Sequence, residues 1–173
     1  ENLAYWMAFQ LLTGNIDTQS RNMYLYSPTN SDTFYVLDWD NDGMLMRKEY
    51  EIKQRSDGKS WENGISNYWG NMLFSRCLQT KSFRTALDKA IKDEYKYMNA
   101  NRINSMVKHY RSITEQYVWK MPDSMYECVT KSQYDVIANQ LYSEIEQNYQ
   151  TYQTGFNKPM PFYIGTPTPT NGK

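Results

Sequence analysis

Four stretches between residues 69 and 152 repeat apolar side chains at i, i+3, i+4 and i+7, a period that commits the carboxyl-terminal half of the chain to α-helix. The first, residues 69–79, turns Trp69, Met72, Leu73, Cys77 and Leu78 inward. The second, 83–98, aligns Phe83, Ala86, Leu87, Ala90, Ile91 and Met98. The third, 103–119, aligns Ile103, Met106, Val107, Tyr110, Ile113 and Tyr117. The last opens on Thr130-x-x-Gln133, a capping-box pattern, and carries Tyr134, Ile137, Ala138, Leu141, Ile145, Tyr149 and Tyr152. Such stripes read as core. Upstream, residues 3–12 are apolar on almost every side, as in a helix buried within a lobe, and Gly14 supplies a left-handed cap. Two β-branched and aromatic runs, 23–26 and 34–37, flank a Pro-Thr-Asn-Ser-Asp turn and read as a hairpin. The expected fold is therefore mainly α, a helical lobe over residues 1–154 with one small β-hairpin. Residues 53–68 are polar with Gly58 and Gly64 and read as a loop. The Pro/Thr-rich stretch 155–173 reads as an extended tail.

Composition narrows the function classes. The 173 residues suffice for one domain with a real core. Nineteen basic and nineteen acidic residues cancel, so nothing points to nucleic acid or an anionic membrane surface. No stretch has the apolar length of a membrane span. Cys77 and Cys128 lack zinc-ligand spacing and read as reduced cysteines. The single histidine, His109, lies in a helical pattern with no nucleophile motif beside it, which argues against Ser–His–Asp hydrolysis. The sixteen tyrosines and five tryptophans raise carbohydrate binding, but most recur at helical spacing and read as core.

Chemistry concentrates between residues 14 and 43. Asp17 is followed five residues later by Asn22, then by the hairpin, then by Asp38, Asp40 and Asp42. Protein kinases use this layout. The first Asp accepts the proton of the acceptor hydroxyl, the Asn binds metal, and an Asp after a strand pair holds the Mg²⁺ that bridges the ATP phosphates.

The wording of the motifs goes further. Gly14-Asn15-Ile16-Asp17, Asn22-Met23-Tyr24-Leu25-Tyr26, Phe34-Tyr35-Val36-Leu37 and Trp39-Asp40-Asn41-Asp42 resemble the core motifs of the spore-coat protein H (CotH) kinase family. Asn71-Met72-Leu73-Phe74-Ser75-Arg76 fits more weakly, and the resemblance covers about the first eighty residues. It implies an atypical kinase carboxyl-terminal lobe that uses ATP with Mg²⁺ or Mn²⁺ to phosphorylate protein hydroxyls. By position, Asp17 would be the catalytic Asp and Asn22 a metal ligand. Asp40 would be the principal metal-binding Asp, with Asp42 or Asp38 nearby. The resemblance leans toward a bacterial cell surface or secreted setting. No Gly-x-Gly-x-x-Gly and no strand lysine occur, so an ATP-covering amino-terminal lobe is expected upstream, and the chain alone is expected to transfer phosphate poorly. A non-catalytic surface or coat interaction module is the alternative.

A second motif competes for the same aspartates. Residues 38–49 satisfy the EF-hand calcium loop, with Asp38, Asp40 and Asp42 as ligands 1, 3 and 5, Gly43 at the sharp turn and Glu49 as bidentate ligand 12. Hard oxygen donors at this spacing suit Ca²⁺. The flanks argue otherwise, since the incoming segment is strand-like, the outgoing one soon reaches loop composition at residues 54–60, and no second loop exists to pair with. A solvated acidic turn without metal is the third reading.

Overall fold

Helix α1 (Asn2–Thr13) is the hub of the molecule. It is apolar nearly all round, so it has to be wrapped on several sides. It buries Ala4, Trp6, Met7, Ala8, Leu11 and Leu12, together with two polar side chains, Gln10 and Thr13. The computed structural model describes residues 1–15, 17–19, 21–53, 68, 70–126 and 129–156. Ile16, Trp69, Cys128, most of the expected loop (54–67) and the tail from residue 157 lie outside those residues. Among the described residues the architecture is six α-helices and a single two-stranded sheet, the mainly-α lobe with one hairpin that the sequence leads one to expect.

Gly14 ends α1 in the left-handed conformation (φ 64°), and the Asn15 N–H reaches back to the Gln10 carbonyl at 3.1 Å. The hairpin follows. Strand β1 (Met23–Tyr26) pairs antiparallel with β2 (Tyr35–Asp38) in the register Met23↔Asp38, Tyr24↔Leu37, Leu25↔Val36 and Tyr26↔Tyr35. The second strand sits one residue later than its composition suggests. Val36 is buried against α1, where the Asn2 side chain accepts from the Val36 N–H at 2.6 Å. On the opposite face Tyr24, Tyr26, Tyr35 and Leu37 stay exposed, and Trp39 meets Tyr24 edge-on at 5.5 Å.

Helix α2 (Arg47–Ile52) is short and polar. Helices α3 (Met72–Gln79), α4 (Lys81–Tyr97), α5 (Ala100–Val118) and α6 (Lys131–Phe156) complete the lobe. Helices α4 and α6 both lie against α1. The capping box forms as expected, with the Thr130 N–H donating to Gln133 Oε1 at 2.8 Å and the Gln133 N–H donating to Thr130 Oγ1 at 3.3 Å. Helix α6 continues through Gly155 to Phe156.

Two expected core faces are corrected. On α3 it is Phe74, Ser75 and Leu78 that are buried, while Met72 and Leu73 are exposed. Asn71 caps the helix through the N–H groups of Leu73 and Phe74, and this phase sends Phe74 onto Trp6 (ring centroids 5.6 Å) and Tyr68 (5.2 Å). Helix α5 buries none of its residues. It meets α6 through a charged row in which Arg111 pairs with Glu115 and Asp135, and Lys131 pairs with Glu115. Val107 lines the cleft toward α6, while Met106, Tyr110, Ile113 and Tyr117 of its apolar stripe stay exposed. The stripes on α4 (Leu87, Ala90, Ile91) and α6 (Ala138, Ile145, Tyr152) are core, as their period implies.

Candidate functional site

The end of α1 and the end of the hairpin meet through a chain of side-chain amides. Buried Asn15 accepts the backbone N–H of Asp17 on its Oδ1 at 3.2 Å and donates its amide to Asn41 Oδ1 at 3.1 Å. Asn41 donates in turn to Asp38 Oδ2 at 2.8 Å, and buried Gln10 donates to Asp38 Oδ1 at 2.7 Å. Gln10, Asp38, Asn41 and Asn15 thus form one relay from α1 through the hairpin end to the Asp17 turn. Asp38, with a protein donor on each carboxylate oxygen, anchors the acidic turn.

Asp17 opens a single 3-10 turn, Asp17–Gln19, and is half-buried. Thr18 holds this turn from inside, its hydroxyl 3.4 Å from the Asn15 carbonyl and 3.2 Å from the Tyr68 hydroxyl. Asp42 lies in a second 3-10 turn, Asn41–Gly43, that packs against the first. A Cβ added at Gly43 would stand 3.0 Å from Asn15 Oδ1 and 3.9 Å from Asp17 Cβ. The glycine is needed for this approach. The expected sharp turn at Gly43 is corrected: the left-handed residues nearby are Asn22 (φ 57°), Asp40 (φ 56°) and Leu45 (φ 53°).

Asn22 and Asp40 stand at the open end of the hairpin, on either side of its last pair, Met23↔Asp38. Both adopt a conformation that costs a non-glycine residue about 1 kcal/mol or more and that Asn and Asp tolerate best. Strain of this kind persists where the surroundings over-determine it. Asp40 and Asp42 are exposed and Asn22 half-buried.

Two further acids were not legible as site residues. Glu144, buried on α6, accepts the N–H groups of Arg47 at 3.2 Å and Lys48 at 2.8 Å, capping α2 from about a hundred residues away in sequence. Burial raises its carboxyl above the ordinary range, and these two backbone bonds partly offset the rise. One turn on, buried Asn148 accepts from Arg47 Nη2 at 2.9 Å and donates to the Leu12 carbonyl at 3.0 Å. The Leu45 N–H also reaches the Thr13 carbonyl at 2.8 Å. Together these bonds clamp the segment after the acidic turn against the end of α1. Glu94, on α4, has a buried Oε2 without a hydrogen-bond partner, and burial with the charge of Asp38 pushes its carboxyl up to about 7.

The two metal readings fare differently. Mg²⁺ commonly takes one or two carboxylates and completes its shell with substrate phosphates and water, and Asp40 and Asp42 are exposed where such an ion would need them. A calcium loop needs Glu49 folded back as a bidentate ligand. Glu49 instead starts from α2 and pairs with Lys53, the loop is approached by strand β2, and a helix of only six residues leaves it. That outgoing helix was not expected from composition. Among the described residues no group of three or more His, Cys, Asp or Glu side chains is gathered to hold an ion.

Of the remaining sequence candidates, Cys77 is half-buried with a thiol pushed up by burial, and His109 is exposed beside Tyr110. No described helix is long and apolar enough to cross a membrane.

Compared with known proteins, residues 1–152 match a family model described as CotH kinase protein. No curated protein and no solved structure matches the chain.

Proposed function

Since this chain belongs to the CotH kinase family, we propose that it contributes the catalytic base and metal ligands to a kinase that transfers the terminal phosphoryl group of ATP to a protein hydroxyl, with Mg²⁺ or Mn²⁺ as the metal. The observation that carries this reading is the contact between the Asp17 turn and the turn bearing Asp42, which Gly43 permits. That approach supports reading Asp17 and the turn bearing Asp42 as parts of one site.

Asn22, Asp40 and Asp42 would hold the divalent ion, with Asp38 behind them, and the ion would neutralise charge on the phosphates. Asp17 accepts the proton of the acceptor hydroxyl as its oxygen bonds to the terminal phosphorus and ADP leaves. The Asn15 bond to the Asp17 N–H keeps the turn in one orientation. Positioning of this sort supplies much of phosphoryl-transfer catalysis. The exposed aromatic face of the hairpin, with Tyr24 and Trp39 close in sequence to Asn22 and Asp40, offers an apolar surface for the nucleotide base.

Thermal stability in ATP alone, in metal alone and in both tests the proposal. The expected result is a shift that needs nucleotide and metal together, worth about 2.7 kcal/mol at a hundredfold excess over the dissociation constant, and lost in Asp40→Ala. A shift with Ca²⁺ alone that disappears in Glu49→Gln would replace the kinase reading with a calcium site.

A further inference from the structure

Helix α5 carries an apolar seam in strict heptad spacing on the side away from α6. Ile103, Met106, Tyr110, Ile113 and Tyr117 alternate steps of three and four residues, the 3.5-residue period of helices that pack along a shared seam. Met106, Tyr110, Ile113 and Tyr117 are between 47% and 58% exposed. Asp123 and Tyr126 stand near the seam's Tyr117 end, and no described helix or strand covers the rest. Soluble proteins rarely leave an apolar stripe of this length open without a partner for it.

We propose that this seam is a self-association face, on which α5 of a second copy of the chain docks antiparallel. Self-complementarity of size is the first argument. Running the helix antiparallel against itself about a two-fold axis between Arg111 and Ser112 sets Met106 against Tyr117 of the other copy and Tyr110 against Ile113. Each of the four layers then holds one tyrosine and one smaller side chain, the alternation that fills a helix interface without voids.

Charge is the second argument. The residues flanking the seam become Val107 opposite Thr114 and His109 opposite Gln116, so no pair of like charges faces across it. Lys120, just past the helix end, sets its ammonium 5.9 Å from the Tyr117 ring centroid, and the charged residues within this part of α5 are directed elsewhere. Arg111 and Glu115 pair toward α6, and Arg102 stacks on Tyr97 at 3.8 Å.

Area is the third. The two tyrosines, Met106 and Ile113 at these exposures leave open on the order of 400 Å² on each copy, about half of what a partner contributes to an interface of standard size, which fits a weak association in the micromolar range. A C2 pairing uses the same patch twice and closes without free ends.

Sedimentation of the full 173-residue chain from about 1 to about 100 µM tests this, a range that spans micromolar association. The expected result is a mass that rises from 20.6 kDa to twice that value. Tyr110→Glu should leave a monomer with an unchanged circular dichroism spectrum, since α5 buries no residue. Adding Ile113→Lys should restore the dimer, because the antiparallel register then sets opposite charges in both central layers. A mass that stays at 20.6 kDa throughout, a dimer indifferent to Tyr110→Glu, or a double variant that remains monomeric would overturn the proposal.

Discussion

Asn15 donates its side-chain amide to Asn41 Oδ1 at 3.1 Å, and through that one bond the turn that begins at Asp17 is tied to the turn that carries Asp42. Asn15 is buried, so its loss leaves the Asp17 N–H without its acceptor and Asn41 Oδ1 with only the longer 3.4 Å bond from Gln10. Asn15→Ala is expected to cost about 1–3 kcal/mol of stability in urea titration. It should also lower phosphoryl transfer more than the stability loss explains. Equal activity per folded molecule would show that the relay does not position Asp17.

Gly43 is required by proximity. A methyl group there already presses on Asn15 Oδ1 at 3.0 Å. Gly43→Val should therefore separate the two turns and reduce transfer, while the circular dichroism spectrum stays helical. A fully active Gly43→Val enzyme would contradict the claimed packing of the turns.

Gly14 is constrained twice over, by φ 64° and by a Cβ position 2.8 Å from Asn148 Nδ2. Gly14→Ala should destabilise by about 1–2 kcal/mol from the left-handed backbone alone, with more from displacing Asn148. Thermal unfolding measures it.

Glu144 caps α2 from α6. Glu144→Ala leaves two N–H groups of α2 without their acceptor and is expected to cost about 2 kcal/mol. Hydrogen exchange should report the loss first at Arg47 and Lys48. Protection unchanged at those two amides would refute the cap.

Glu94 makes a signed pH prediction. Its carboxyl titrates near 7 in the folded chain, against an ordinary value of 4.5, so between those values the folded state binds more protons than the unfolded one. Stability contributed by the protonated group is complete below pH 4.5 and declines as pH rises to about 7. Glu144 adds a decline of the same sign. Glu94→Gln should flatten the part of the slope that Glu94 owns. An identical pH profile in the variant would mean that Glu94 is not the group responsible.

The parts of this fold that were legible in sequence are those fixed by local pattern. The hairpin, the Gly14 cap, the Thr130–Gln133 capping box and the stripes of α4 and α6 all depend on residues a few positions apart. Helix α2 was not legible because Arg47-Lys48-Glu49-Tyr50-Glu51-Ile52 has no apolar period and is capped by Glu144 from α6. The stripe of α5 was legible as a stripe, but period alone does not say whether a seam is buried or open. At the site, the spacing of Asp17, Asn22 and Asp40 was visible. Gln10 and Asn15 were hidden because a single amide in an apolar helix or a cap gives no signal until the fold supplies Asp38 and Asn41. The left-handed backbone at Asn22 and Asp40 likewise arises only when the hairpin end is closed.

The most direct test of the central claim is transfer of labelled terminal phosphate from ATP to a protein acceptor by the kinase that contains this lobe, compared across the unmodified protein, Asp17→Asn and Asp40→Asn. If Asp17 is the base and Asp40 holds the metal, Asp17→Asn should keep metal-dependent ATP binding and lose transfer by about a hundredfold or more. Asp40→Asn should lose both binding and transfer. Transfer that survives both substitutions would contradict the assignment of this surface as the catalytic site.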